Sequence, residues 1–151
     1  MRVRRRLMPG IFRKLCVAAM VDLLAGTAHA DEQVLRYQPA VVHLTGTVRM
    51  EQHYGPPNFA PGSRIETVPV LVLMRPVTVR GNPGSPADGD SYQNVTRIQL
   101  VLAEPGGNNA LSAYAGTRVQ ATGRLFEKVS GENFTDVLLD VQQIGLASGG
   151  P

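Results

Sequence analysis

Residues 108–116 read "NNALSAYAG". Asn108 or Asn109 can cap the start of a helix, and Gly116 sits where a helix-ending glycine belongs, so one short helix is expected here. Everything else beyond residue 30 reads as strand and loop, and the position of this helix among the strands therefore decides the fold.

Immediately upstream, "VTRIQLVL" (95–102) alternates, with Ile98, Leu100 and Leu102 inward and Arg97 and Gln99 outward. Immediately downstream, "RVQATGRLF" (118–126) does the same, with Val119, Ala121, Gly123 and Leu125 inward. Period-two alternation rich in β-branched residues marks a half-buried strand. Further out, "VVHLTGTVRMEQH" (41–53) places Val42, Leu44, Gly46, Val48 and Met50 on one face, with His43, Thr45, Thr47, Arg49 and Glu51 on the other. "VPVLVLMRPVTV" (68–79) is a nearly continuous apolar run, expected of a strand covered on both faces, with Pro76 marking a bend or an edge. "TDVLLDVQQI" (135–144) is the last strand, with Val137, Leu139 and Val141 inward.

Five strands with one helix between the third and fourth is the element order of a small OB-like β-barrel in a mainly β chain. Gly46 and Gly123, each in a Thr-Gly pair, fall mid-strand where a barrel strand must coil sharply. A β-sandwich also accepts five strands but gives the helix no obvious place. The expected organisation is a signal peptide over 1–30, an N-terminal arm over 31–40, the barrel over 41–145 and a disordered tail over 146–151.

The segments "VVHLTGTV", "YGPPN", "VLVL" followed by "RPVTV", "NVTRIQLVL", "YAGTRVQATGRLF" and "TDVLLDV" occur in that order. Together they resemble the exported bacterial domain of unknown function 4431, from about Val41 to Val141. The resemblance implies no activity. Members often carry a histidine cluster in the loop before the last strand; this chain has "GENFTDVLL" there, so no metal role is carried over.

The first thirty residues combine "MRVRRR", a short apolar run and Ala28-His29-Ala30, which is the pattern of a cleaved secretory signal. The run is shorter than the roughly 20 apolar residues of a permanent membrane span, and none is expected. The expected location is therefore periplasmic or secreted. Removing the leader also reverses the charge: nine basic residues remain against eleven acidic, a formal charge of −2, where the whole chain is +3. The basic surface that nucleic-acid binding requires is then missing, and nucleic acid is excluded as a partner. The one cysteine, Cys16, goes with the leader, so stability must come from an apolar core.

No catalytic role is expected. Only His43 and His53 lie beyond residue 30, and ten residues of extended chain separate them by about 33 Å, too far to share an ion. No serine there stands in a nucleophile-elbow motif. "DGD" (88–90) lacks the further ligands of a calcium loop and reads as a polar turn. Neither a metal nor a cofactor is expected.

The remaining signal is the placement of aromatics. Tyr54 and Phe59 fall in the proline-stiffened stretch "EQHYGPPNFAPG" (51–62) between the first two expected strands, and Phe134 falls in the loop before the last. Those two loops flank the ligand cleft of OB folds. The candidate site is Arg49, His53, Tyr54, Phe59, Glu132 and Phe134, with a small ligand or an exported protein partner as occupant. The bland alternative is that the rings only cap one end of the barrel. Two functional classes follow: a ligand-binding module, or an inhibitor or immunity-type protein that binds an exported enzyme.

Overall fold

The structure, a computed structural model, describes residues 32–148; the expected signal peptide and the last three residues lie outside them. The elements in chain order are β1 (Gln33–Arg36), β2 (Val41–Tyr54), β3 (Ile65–Arg80), β4 (Tyr92–Val101), α1 (Gly107–Ser112), β5 (Arg118–Glu127) and β6 (Val137–Leu146). The chain is thus mainly β. The five expected strands are β2 to β6, and the helix falls between β4 and β5, as the element order required.

The strands form one sheet of order β1-β3-β2-β5-β6-β4, and β3 also pairs with β4, so hydrogen bonding runs around a ring. The pairs β2–β3, β3–β4, β5–β6 and β2–β5 are antiparallel, while β4 and β6, separated in the chain by α1 and β5, run parallel. Gly46 marks a hand-over on β2. Residues 41–47 pair with β5 and 46–54 with β3, and a Cβ at Gly46 would collide with the Val72 carbonyl. Gly123 marks the equivalent place on β5. The β5–β6 register shifts beside it, and a Cβ there would strike the Asp140 carbonyl. The expectation for Pro76 also holds, because the β3–β4 register shifts between Val72 and Val77.

Inside the ring lies the apolar core, including Leu44, Val48, Leu71, Ile98, Leu100, Val119, Leu125, Leu139 and Val141. Leu111 of α1 joins it fully buried, which is what the short helix contributes. The start of that helix differs from the sequence reading. Its cap is Gly106 in the left-handed region (φ 81°) and no side chain caps it. Gly107 rather than an asparagine opens the turn, because its backbone presses against Leu102 where a Cβ would not fit. Gly116 is left-handed (φ 76°) and its N–H donates to the Val48 carbonyl at 2.8 Å, tying the end of the turn to β2.

Two further differences shape the molecule. The arm is not featureless: β1 pairs parallel with the end of β3 and sends Leu35 into the core, with Tyr37 following just after the strand. Pairing also continues to Leu146, opposite Val119, so the last strand extends into the expected tail. On the outer face, Val70, Gln99 and Leu138 stand in register across β3, β4 and β6. All three are buried, so Gln99 is not the solvent-facing residue that alternation implied. They are covered by the β5–β6 connection and by an Arg97–Glu51 ion pair that spans β3.

Candidate functional site

The cover over that outer row also builds a cleft. Gln99 is the anchor: its N–H donates to Thr135 Oγ1 at 2.9 Å, and its side-chain Oε1 accepts the N–H of Phe134 at 2.7 Å. Thr135 Oγ1 in turn donates to the Val137 carbonyl at 2.7 Å. Further back in the same connection, Asn133 Oδ1 accepts the N–H groups of Val129 and Ser130, each at 3.0 Å. The Lys128 N–H closes the loop on the Asp136 carbonyl at 3.0 Å. A loop whose polar groups are paired internally holds its side chains in place.

Phe134, fixed in this way, lies flat on His53 from the end of β2, with ring centroids 4.3 Å apart and planes 7° apart. His53 Nε2 is buried without a hydrogen bond among the described residues and lies 3.4 Å from Glu51 Oε2, a contact that becomes an ion pair only when the imidazole is protonated. Glu51 is already held by Arg97, both of whose guanidinium contacts go to its two oxygens. This carboxylate therefore orients the histidine rather than standing free as a base.

The β2–β3 connection (55–64) supplies the facing wall. It is closed by Gly55 N–H to the Arg64 carbonyl at 2.7 Å, Phe59 N–H to the Gly55 carbonyl at 3.0 Å and Ser63 N–H to the Ala60 carbonyl at 3.0 Å. Phe59 sits in the left-handed region at φ 52°, where a bulky residue is strained by roughly 1–3 kcal/mol. Its ring rests on Gly131 of the other connection, where a Cβ would lie 2.9 Å from Phe59 Cζ.

Between the two walls is an open cleft of about 680 Å³. His53, Tyr54, Phe59 and Phe134 line it with rings, Gln52 and Lys128 add an amide and an ammonium, and Ile65 and Gly131 complete the lining. Four of the six expected residues therefore converge. Arg49 and Glu132 do not. Arg49 pairs with Val70, further back along β2, and is exposed; Glu132 is exposed and uses its backbone carbonyl to accept Gln99 Nε2 at 3.5 Å. Gln52, Ile65, Lys128 and Gly131 join the site without having been expected there. Lys128 had one available signal, as the only lysine outside the first thirty residues.

Several other polar centres serve the structure. Asp88 of the "DGD" turn is buried, its Oδ2 accepting Gln38 Nε2 at 3.3 Å and its Oδ1 the Glu127 N–H at 3.1 Å, which joins the arm, the β3–β4 loop and β5. Tyr92 donates to Glu127 Oε1 at 2.9 Å. Burial, reinforced by Glu127, pushes the Tyr92 phenol up to about 12. Tyr37 is pushed further up, first by burial and then by the Glu127 charge, and its hydroxyl has no partner among the described residues. His43 is engaged with Thr122 Oγ1 at 2.9 Å on β5. Among the described residues no three histidine, cysteine or acidic side chains gather as an ion would need, and no helix is long and apolar enough to cross a membrane.

Residues 97–145 match the family model described as Domain of unknown function (DUF4431). This stretch runs from within β4 through α1 and β5 into β6, so it holds the Gln99 anchor and the Phe134 loop, and β1 to β3 precede it. No curated protein matches the chain.

Proposed function

We propose that this chain is an exported binding module of OB-like architecture, and that the cleft between the β2–β3 and β5–β6 connections holds its ligand. The ring order, the parallel β4–β6 pairing and the helix between β4 and β5 support the OB-like reading. In that architecture these two connections flank the binding surface. Export rests on the leader pattern in residues 1–30, and the periplasm or the exterior is the compartment it implies.

The observation that carries the binding reading is Phe59. A phenylalanine held in a strained backbone conformation and left 43% exposed is a poor way to cap a core, because capping would bury the ring. Backbone strain of this kind clusters at binding sites. The lining suits a small molecule with a flat or apolar face and an anionic or hydrogen-bonding edge, the faces meeting the rings and the edge meeting Lys128 and Gln52. We assign no catalytic step, since a nucleophile paired with a base is what such chemistry requires and the cleft lining offers no serine, threonine or cysteine. The negative charge beyond residue 30 argues against nucleic acid.

One observation favours the second reading, a protein that docks on an exported enzyme. Tyr54 (42%), Phe59 (43%) and Ile65 (51%) expose apolar surface together on the rim. Alanine at Tyr54 and Phe59 tests the whole set. Retained folding with loss of a small-molecule-induced rise in Tm supports the ligand reading. Retained folding with loss only of a copurifying protein supports the docking reading. Loss of folding stability without any binding change returns the rings to a capping role and defeats both.

A further inference from the structure

At the far end of β3 from this cleft, Arg36 of β1 and Arg80 of β3 are direct partners in the parallel register, and both are exposed on the same face. Like charges side by side across two strands destabilise the pairing. Neither guanidinium has a carboxylate within salt-bridge distance among the described residues. The acids at this end hold other partners: both Asp88 oxygens accept hydrogen bonds, from Gln38 and from the Glu127 N–H, Glu127 accepts the Asp90 N–H and the Tyr92 hydroxyl, and Glu32 accepts the Thr78 hydroxyl. Glu127, Asp88 and Asp90 nonetheless press negative charge on Tyr37 in the same cavity wall. The two arginines open on a cavity of about 410 Å³, whose other walls include Gln38, Pro39 and Asn82. Asn82 accepts the Gly84 N–H on its Oδ1, and among the described residues its amide nitrogen makes no hydrogen bond.

We propose that Arg36 and Arg80 together grip an oxyanion, a phosphate-type group on a small molecule, with Asn82 as a third donor. Two planar guanidinium forks match the oxygens of such a group, and an anion shared between them turns a repulsive strand pair into an attractive one. This site is separate from the aromatic cleft and does not depend on its role.

The test is thermal unfolding of the protein in sodium phosphate, sulfate and acetate, each against sodium chloride of equal ionic strength. Phosphate or sulfate raises Tm beyond the chloride control, and Arg36→Gln and Arg80→Gln each remove that increment, while Arg75→Gln, elsewhere on β3, keeps it. In chloride the two glutamine variants are as stable as the parent or more so, since repulsion is relieved. An equal increment from acetate, lost in the same variants, overturns the phosphate-type assignment. No anion-specific increment in the parent, or an increment that survives in both variants, overturns the proposal.

Discussion

Leu138 is the sharpest test of how the cleft is supported. Strand alternation puts it on the outer face of β6, where an exposed leucine replaced by alanine changes stability by no more than about 0.5 kcal/mol. In the structure it is fully buried, in register with Gln99 and Phe126, beneath the connection that carries Phe134. Leu138→Ala removes three carbons from that position. At about 0.8 kcal/mol per buried methylene the transfer loss is about 2.4 kcal/mol, and the residual cavity adds to it, giving about 2.5–4 kcal/mol. Urea unfolding measures this as a lower midpoint with an unchanged m-value, and for a domain of this size Tm falls by about 10 °C. A change below about 1 kcal/mol would mean that the outer row is not covered, and the β5–β6 connection would then lose the support on which the site geometry rests.

Other outcomes follow from the same contacts. Gly131→Ala pushes the Phe59 ring off its seat; the Phe59 ring resonances shift in aromatic NMR spectra, while stability changes by no more than about 1 kcal/mol, since the site is exposed. Arg97→Ala breaks the bridge to Glu51 and costs about 0.5–1 kcal/mol in low salt, shrinking as salt is raised in denaturation curves. The tyrosines set an alkaline limit. Their phenols hold protons in the folded chain up to about 12 for Tyr92 and beyond for Tyr37, whereas the unfolded chain releases them near 10. Their contribution is therefore complete below pH 10 and is lost as the pH rises from there through 12. Tyr37→Phe removes an unpartnered buried hydroxyl; it is neutral or stabilising by about 1 kcal/mol at pH 7 and flattens the alkaline loss in a pH series of unfolding curves.

What is legible in the sequence is what local patterning encodes. β2, β5 and β6 stand out because one face meets the core and period two follows. Gly46 and Gly123 stand out because a glycine in mid-strand marks a sharp bend or a close backbone approach. Gln99 and Leu138 do not, since their burial depends on a connection some thirty residues from Gln99 folding over them. β1 leaves almost no pattern, being four residues that pair parallel with the end of β3. At the site, the rings are conspicuous as large aromatics in proline- and glycine-rich loops. Arg49 and Glu132 are charges near those loops in sequence, but strand register sets one opposite Val70 and the other contributes its backbone carbonyl. The contact between Phe59 and Gly131 joins two distant loops, and no spacing rule reaches it.

The central claim is that the aromatic cleft binds, and an NMR titration against a panel of small aromatic carboxylates and acidic sugars tests it most directly. The account predicts that whatever binds concentrates its shift changes on His53, Tyr54, Phe59, Lys128 and Phe134, and that Phe59→Ala abolishes them without unfolding the chain. Shift changes gathered elsewhere on the surface, or no binding from the panel together with a Phe59→Ala variant that loses only stability, would contradict it.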